Sequence, residues 1–253
     1  MALIRLEHKP ETVKVDQALD IIIPDPGWMN GIPVRDRKVL YLLHGLSDDG
    51  SAWQRFTTVE TLAKMYGLVV VMPSVGRSFY IDLPNGQRYF TYLMEELPQY
   101  LADVFGLTPS RENTLIAGLS MGGYGAFKAA LLHPERFYAA ASFSGFLSVK
   151  FMRSNPDDPR TKEFSSVFGD LDHLSGGEHD PAKWLANAVI RKAVLPRLFM
   201  ACGRQDELYT LNKLFLADCA ALGVTMDFHE EDAGHEWLFW DAQLRCFLAA
   251  VLA

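Results

Sequence analysis

From residue 39 onward the chain repeats one rhythm: a short apolar run, then a longer stretch of helical spacing. The apolar runs are 39–43 "VLYLL", 68–72 "LVVVM", 113–118 "NTLIAG", 138–143 "YAAASF", 197–202 "RLFMAC" and 224–229 "VTMDFH". Helical patterns fall near 57–66, 91–105, 121–132, 207–222 and 236–251. Parallel neighbours need a long crossover, and helices between strands supply it. The rhythm therefore predicts an α/β fold, a mostly parallel sheet with helices on both faces. Ahead of it, residues 3–6 and 12–23 alternate apolar and polar positions before "ALDIIIPDP", which predicts an opening pair of antiparallel strands. Pro98 falls inside the second helical pattern, so that helix starts late or is kinked there.

One interval breaks the beat. Residues 145–195 contain no convincing strand, and "RSNPDDPRTKEFSSVFGDLDHLSGGEHDPAKW" is polar and rich in Gly and Pro. Long irregular segments of this kind tend to be lids or binding loops. The expectation is a lid or cap insertion over one end of the sheet, within a single domain spanning 1–253. At 253 residues with 49% apolar and 22% charged side chains, one α/β core is well supplied.

The net charge of -7, from 24 basic and 31 acidic side chains, comes with no Lys/Arg cluster, so a nucleic-acid surface has nothing to rest on. The N-terminus "MALIRLEHKPETVKV" lacks the apolar core of a secretory signal. "GLVVVMP" is too short to cross a bilayer. Cys202, Cys219 and Cys246 are odd in number and widely spaced, unlike a disulfide framework or a zinc site. The expectation is buried thiols in a reducing cytoplasm. No histidine pair has ligand spacing, so no metal is expected. An exposed lid and edge strand are compatible with a homo-oligomer.

The stretch "IAGLSMGGYGAF", residues 116–127, packs four glycines around Ser120, directly after an apolar strand and directly before a helical run. Gly118-Leu119-Ser120-Met121-Gly122 fits G-x-S-x-G. In that strand-turn-helix context the pattern describes a nucleophile elbow, where glycines make room for one exposed hydroxyl. A serine hydroxyl is a poor nucleophile at neutral pH and needs a base and an orienting acid. Asp206, in "CGRQDELY", follows strand 197–202, and His235, in "EDAGHEWLFW", follows the last strand. Both fall at carboxyl ends of strands, where open parallel sheets place their ligands. Asp232 is the alternative acid, although so close to His235 in sequence that it has little room to support the ring from behind. His44 precedes the serine, His229 lies within a strand, His133 starts a turn, and His173 and His179 lie in the lid. Cys202 lacks elbow glycines and reads as an inert core thiol.

An acyl-transfer site also needs donors for an oxyanion. The backbone N–H of Met121 follows the nucleophile, and the loop "LLHGLSDDGSAW" offers the N–H of Leu46. His44 in that loop reads as structural. The stretch "GRSFYIDLPNGQRYFTY", residues 76–92, concentrates aromatic rings; Phe79, Tyr80 and Tyr89 either line the substrate or anchor a long loop. Trp237 and Trp240 read as helix-packing residues.

With these residues in hand, "YLLHGLSDDGSAW", "VVVMPSVGRSFYIDLPNG", "EELPQYL", "AGLSMGGYGAFKAAL", "CGRQDELY" and "GHEWLFW" make the chain resemble the tributyrin esterase family, in collinear order through nearly its whole length. That family belongs to the esterase D and S-formylglutathione hydrolase group of α/β-hydrolases. The resemblance implies a serine carboxylesterase acting on short-chain acyl esters, with Ser120, Asp206 and His235 as triad and no cofactor. The stretch 145–185 carries the least resemblance. Three rival readings share the fold. A thioesterase of the S-formylglutathione hydrolase type or an acyltransferase would use the same acyl-enzyme. A non-catalytic binding protein would lack a triad member, and none is missing.

Overall fold

The computed structural model describes residues 1–28 and 31–252. Its strands are β1 (Ala2–His8), β2 (Gln17–Ile23), β3 (Val39–Leu43), β4 (Val69–Pro73), β5 (Thr114–Leu119), β6 (Ala139–Phe143), β7 (Arg197–Gly203) and β8 (Asp227–Glu231). They form one eight-stranded sheet in the order β1-β2-β4-β3-β5-β6-β7-β8. β1 and β2 pair antiparallel from Ala2↔Ile23 to His8↔Gln17, and β2 runs antiparallel to β4. All the remaining pairings are parallel, as the rhythm of the sequence predicts. The helices are α1 (Ala52–Phe56), α2 (Val59–Tyr66), α3 (Tyr89–Thr91), α4 (Leu97–Phe105), α5 (Met121–Leu132), α6 (Arg160–Phe168), α7 (Pro181–Ile190), α8 (Tyr209–Ala221) and α9 (Trp237–Leu252).

Every residue of β3, β4, β5 and β6 is buried, because helices cover both faces of the sheet. The two-residue period of a strand sorts these side chains into two cores. Val39, Tyr41 and Leu43 join Val69, Val71 and Ile116 on the face that holds α5. Leu40 and Leu42 join Val70, Met72 and Ala117 on the face of α2 and α9, with Trp53, Leu62 and Phe247. α5 is buried from Met121 to Leu131, so it is a central helix and not an amphipathic surface one.

Three local differences from the sequence reading have physical causes. The last strand starts at Asp227, three residues later than its apolar run. Val224 is held by the end of α8: Gly223 has φ +70°, and the Val224 N–H donates to the Cys219 carbonyl at 2.9 Å, a left-handed helix stop. Around Pro98 the chain neither breaks nor simply starts late. α3 passes through a wide turn, Tyr92–Glu96, into α4, with Pro98 in the first turn. Proline cannot donate to the Met94 carbonyl, which instead accepts from the Arg136 guanidinium.

The interval 145–195 holds no strand but two helices, α6 and α7, which its polarity concealed. Asp180 caps α7 by accepting from the Ala182 N–H at 3.0 Å, and Pro181 occupies the first turn. Trp184, Leu185 and Ala188 are buried, and α7 packs on α5 as the crossover helix between β6 and β7. α6 is the more polar helix and touches the body through Val167 and Phe168.

Candidate active site

β5 ends at Leu119 and α5 begins at Met121, so Ser120 alone turns the chain. Its φ and ψ are 52° and -115°, a conformation an L residue adopts only under strain of order 1–3 kcal/mol. The flanking glycines follow from backbone contact between strand and helix. A Cβ on Gly118 would lie 2.4 Å from the Gly122 carbonyl group, and one on Gly122 would lie 2.3 Å from the Leu43 carbonyl oxygen. The turn is pinned from both sides: the Ser120 N–H donates to Phe143 at 2.9 Å, and the Ser120 carbonyl accepts from Phe146 at 3.3 Å.

Ser120 and His235 line one cavity of about 390 Å³, together with Gly45, Leu46, Asp48 and Arg77. Behind the imidazole, His235 Nδ1 donates to Asp206 Oδ2 at 2.9 Å, and the Asp206 side chain is wholly buried. Burial alone would raise the Asp206 carboxyl. The hydrogen bonds from His235, from the Ser144 hydroxyl and from the Leu208 N–H outweigh it and hold the group below the usual carboxylate range. Asp232, the alternative acid, instead accepts from Gln205 at 2.9 Å. The other histidines stand elsewhere: His229 stacks on Phe199 within β8, His133 pairs with Glu135 and His173 with Asp170. The link from His235 Nε2 to Ser120 Oγ is not closed among the described residues, a looseness common before substrate binds.

The loop after β3 comes against the serine. A Cβ on Gly45 would lie 3.8 Å from Ser120 Cβ. Among the described residues the N–H groups of Leu46 and Met121 donate to no backbone acceptor. Met121 opens α5, so its N–H lies at the positive end of the helix dipole. His44 fixes the loop from within: its Nδ1 donates to the Gly45 carbonyl at 2.7 Å, and its Nε2 accepts from the Val75 N–H at 3.0 Å. Burial lowers its pKa to about 4 and keeps the ring neutral.

The structure does not bring the three aromatic candidates to this cavity. Tyr80 is fully buried, and its hydroxyl donates to the His44 carbonyl at 3.1 Å. Phe79 packs edge-on against Tyr124, Phe146, Phe164 and Phe168, and Tyr89 is buried beside the loop. Phe79 and Tyr80 both have positive φ, 51° and 52°, which turns their rings into the body. Trp237 and Trp240 correct the opposite expectation. They do pack, Trp237 edge-on to Trp53 at 5.3 Å, but both also line the cavity, and Trp240 stands perpendicular to His235 at 4.8 Å.

Sequence reasoning also missed Asp48, Arg77 and Glu207. Arg77 is the most connected: its guanidinium bonds the Glu163 carboxylate on α6 and donates to the Leu46 carbonyl at 3.3 Å. Cys202 and Cys219 are buried free thiols, both pushed up to about 12 chiefly by burial, and Cys246 is exposed. Among the described residues no His/Cys/Asp/Glu group could hold a metal, and no helix is long and apolar enough to cross a membrane.

Comparison with known proteins gives the family and the fold. The Esterase family model matches residues 26–250. An acetyl esterase of Caldicellulosiruptor saccharolyticus is 29% identical over 251 residues, covering 95% of this chain and 94% of that protein. Two solved structures from Staphylococcus aureus are each 31% identical. The fluorophosphonate-binding serine hydrolase F, substrate bound, has a TM-score of 0.89, with 100% of this chain and 98% of that one covered. The S-formylglutathione hydrolase FrmB has a TM-score of 0.87, with 100% and 99% covered. The chain belongs to the Esterase family, on the α/β-hydrolase fold, and is a carboxylic ester hydrolase.

Proposed function

We propose that this hydrolase is a serine carboxylesterase for short-chain acyl esters, working through an acyl-enzyme on Ser120. The observation that carries the reading is the 2.9 Å bond from His235 to buried Asp206, facing the strained Ser120 across one cavity. In the first half-reaction His235 Nε2 takes the Ser120 proton as Oγ attacks the ester carbonyl. Asp206 holds Nδ1 protonated and balances the imidazolium. The N–H groups of Leu46 and Met121 receive the oxyanion, a contribution of about 10²- to 10³-fold in rate for each donor. His235 then protonates the leaving alcohol, and a water activated by the same ring frees the acid.

Short acyl chains suit a small cavity walled by Trp237 and Trp240, and the acetyl esterase relative acts in the same sense. The chemistry draws on side chains and backbone alone, with no cofactor. Of the interval 145–195, α6 serves as the lid, its Glu163 bonded to Arg77 at the cavity, while α7 belongs to the body. The three free cysteines favour a reducing cytoplasm as the place of action.

A thioester-hydrolysing reading is supported by the likeness to FrmB. A rate profile over p-nitrophenyl esters of increasing acyl length, with S-formylglutathione in parallel, separates the two. The expected result is a maximum between acetyl and butyryl with little thioester turnover. Dominant thioester turnover would replace the carboxylester assignment.

A further inference from the structure

A second cavity, of about 550 Å³ against 390 Å³ at Ser120, lies between α5, α6 and α7 and the loop after β4. The two cavities share no lining residue. Lys128 of α5 opens into the larger one, although its side chain is only 6% exposed. Its Nζ donates to the Tyr80 carbonyl at 3.2 Å and stands 4.2 Å over the Phe90 ring. An ammonium has three protons, so the carbonyl and the ring face leave one without an acceptor. The carboxylates of Asp82 and Glu178 act on Lys128 only from a distance. Asp82 accepts from the Thr91 N–H and hydroxyl, and Glu178 faces His179 Nε2 at 3.5 Å. Burial pulls the pKa of Lys128 down to about 8, which still leaves it a cation at neutral pH. A buried cation with no counter-ion is costly, and an anion from solution would offset that cost.

The remainder of the cavity fits the rest of such a ligand. Ile81, Phe90, Leu132, Val167, Phe168 and Trp184 give it apolar walls. The Trp184 N–H is already taken by the Glu178 carbonyl at 2.6 Å, so that ring meets the cavity as an apolar surface. His179 Nδ1 is a second buried polar atom without a partner on the same lining. Lys183 stands exposed among the lining residues, as do Asp82 and Glu178, where water screens all three charges. The charge kept from water is therefore the positive one. A mostly apolar pocket with a few polar anchors is the usual form of a small-molecule site. We propose that this cavity binds an amphipathic monocarboxylate, its anionic head paired with Lys128 and its apolar body laid against Phe90, Phe168 and Trp184. The site stands whether or not Ser120 carries the hydrolysis, because the two cavities have separate linings.

The probe is octanoate, with octanol as the partner of equal chain length and no charge, each titrated into the protein by calorimetry. Octanoate should bind the unaltered protein at least tenfold more tightly than octanol, the scale of one charge-assisted hydrogen bond. Lys128→Met should weaken octanoate at least tenfold while hydrolysis of p-nitrophenyl acetate stays within twofold. Asn187→Trp, at an exposed lining position on α7, should block the cavity and weaken octanoate likewise; it decides alone if Lys128→Met does not fold. Octanoate binding that survives these substitutions belongs to the Ser120 cavity and overturns the proposal. So does a protein that binds octanol as well as octanoate, or binds neither.

Discussion

The guanidinium of Arg77 holds the carboxylate of Glu163 through two hydrogen bonds, Nη2 to Oε2 at 2.9 Å among them, and so ties the loop after β4 to α6. Because Arg77 also reaches the Leu46 carbonyl, the polar insertion and the loop beside Ser120 share one anchor. The Glu163 carboxyl lies below its usual range because it accepts from Arg77. The pair is therefore fully formed above the ordinary glutamate pKa and is lost as pH falls through the lowered one. Both side chains are partly exposed, so Glu163→Gln should change unfolding free energy by no more than about 1 kcal/mol. Its KM for esters should rise several-fold, and urea titration beside steady-state kinetics checks both. An unchanged KM would reduce the contact to a surface ion pair.

Replacement of Asp206 by asparagine tests the pair behind the serine. Asparagine fills the same space but offers His235 no charge and permits the wrong tautomer. Activity on p-nitrophenyl acetate should fall about 10⁴-fold in kcat, with far-UV circular dichroism unchanged. A loss of less than tenfold would mean that Asp206 supports structure only.

The backbone at Ser120 makes a prediction about stability. Its φ of 52° and ψ of -115° are tolerated by glycine without a Cβ penalty. Ser120→Gly should therefore be inactive yet melt at a higher temperature than Ser120→Ala, which keeps the strain. The difference expected is about 1 kcal/mol. Equal melting temperatures would show that the turn stores nothing at this residue.

His44 sets a pH window. Burial lowers its pKa to about 4, so it stays neutral in the fold while an unfolded histidine titrates near 6.5. Between those values the unfolded chain binds the extra proton, and stability declines as pH falls. The contribution is complete above about 6.5 and is gone at the folded value. Chemical unfolding at pH 7 and pH 5 should show a drop in the native protein that His44→Gln reduces. An equal drop in both would place the titration elsewhere.

The sheet and the meeting of Asp206 with His235 were legible because their signals are local and periodic. Apolar runs mark strands buried on both faces, and a strand end in a parallel sheet points to one edge whatever surrounds it. The aromatic stretch was not legible in this way. Whether Phe79 and Tyr80 face a cavity depends on two positive φ angles that no composition announces. Trp237 and Trp240 were half read, since α9 turns one side of each ring to the core and leaves the other at the cavity. α6 and α7 were concealed by polar residues facing solvent, although Asp180-Pro181 is a helix-start signal and Trp184 and Leu185 a buried face. The buried bond from Trp240 Nε1 to Ser144 Oγ was invisible for a different reason: it joins residues far apart along the chain.

The strand order has a consequence for the life of the molecule. Ser120 hangs from β5, Asp206 follows β7 and His235 follows β8, with β6 inserted between the first and the second. On the reading proposed above, no fragment that stops short of β8 can assemble the three, so hydrolysis would wait until the far edge of the sheet has closed. On that reading a growing polypeptide, folding from its N-terminal side as it is made, stays inert towards esters until β8 and the helix behind it have docked. Recovered turnover during refolding therefore times the final docking event, a built-in clock for completion of the fold.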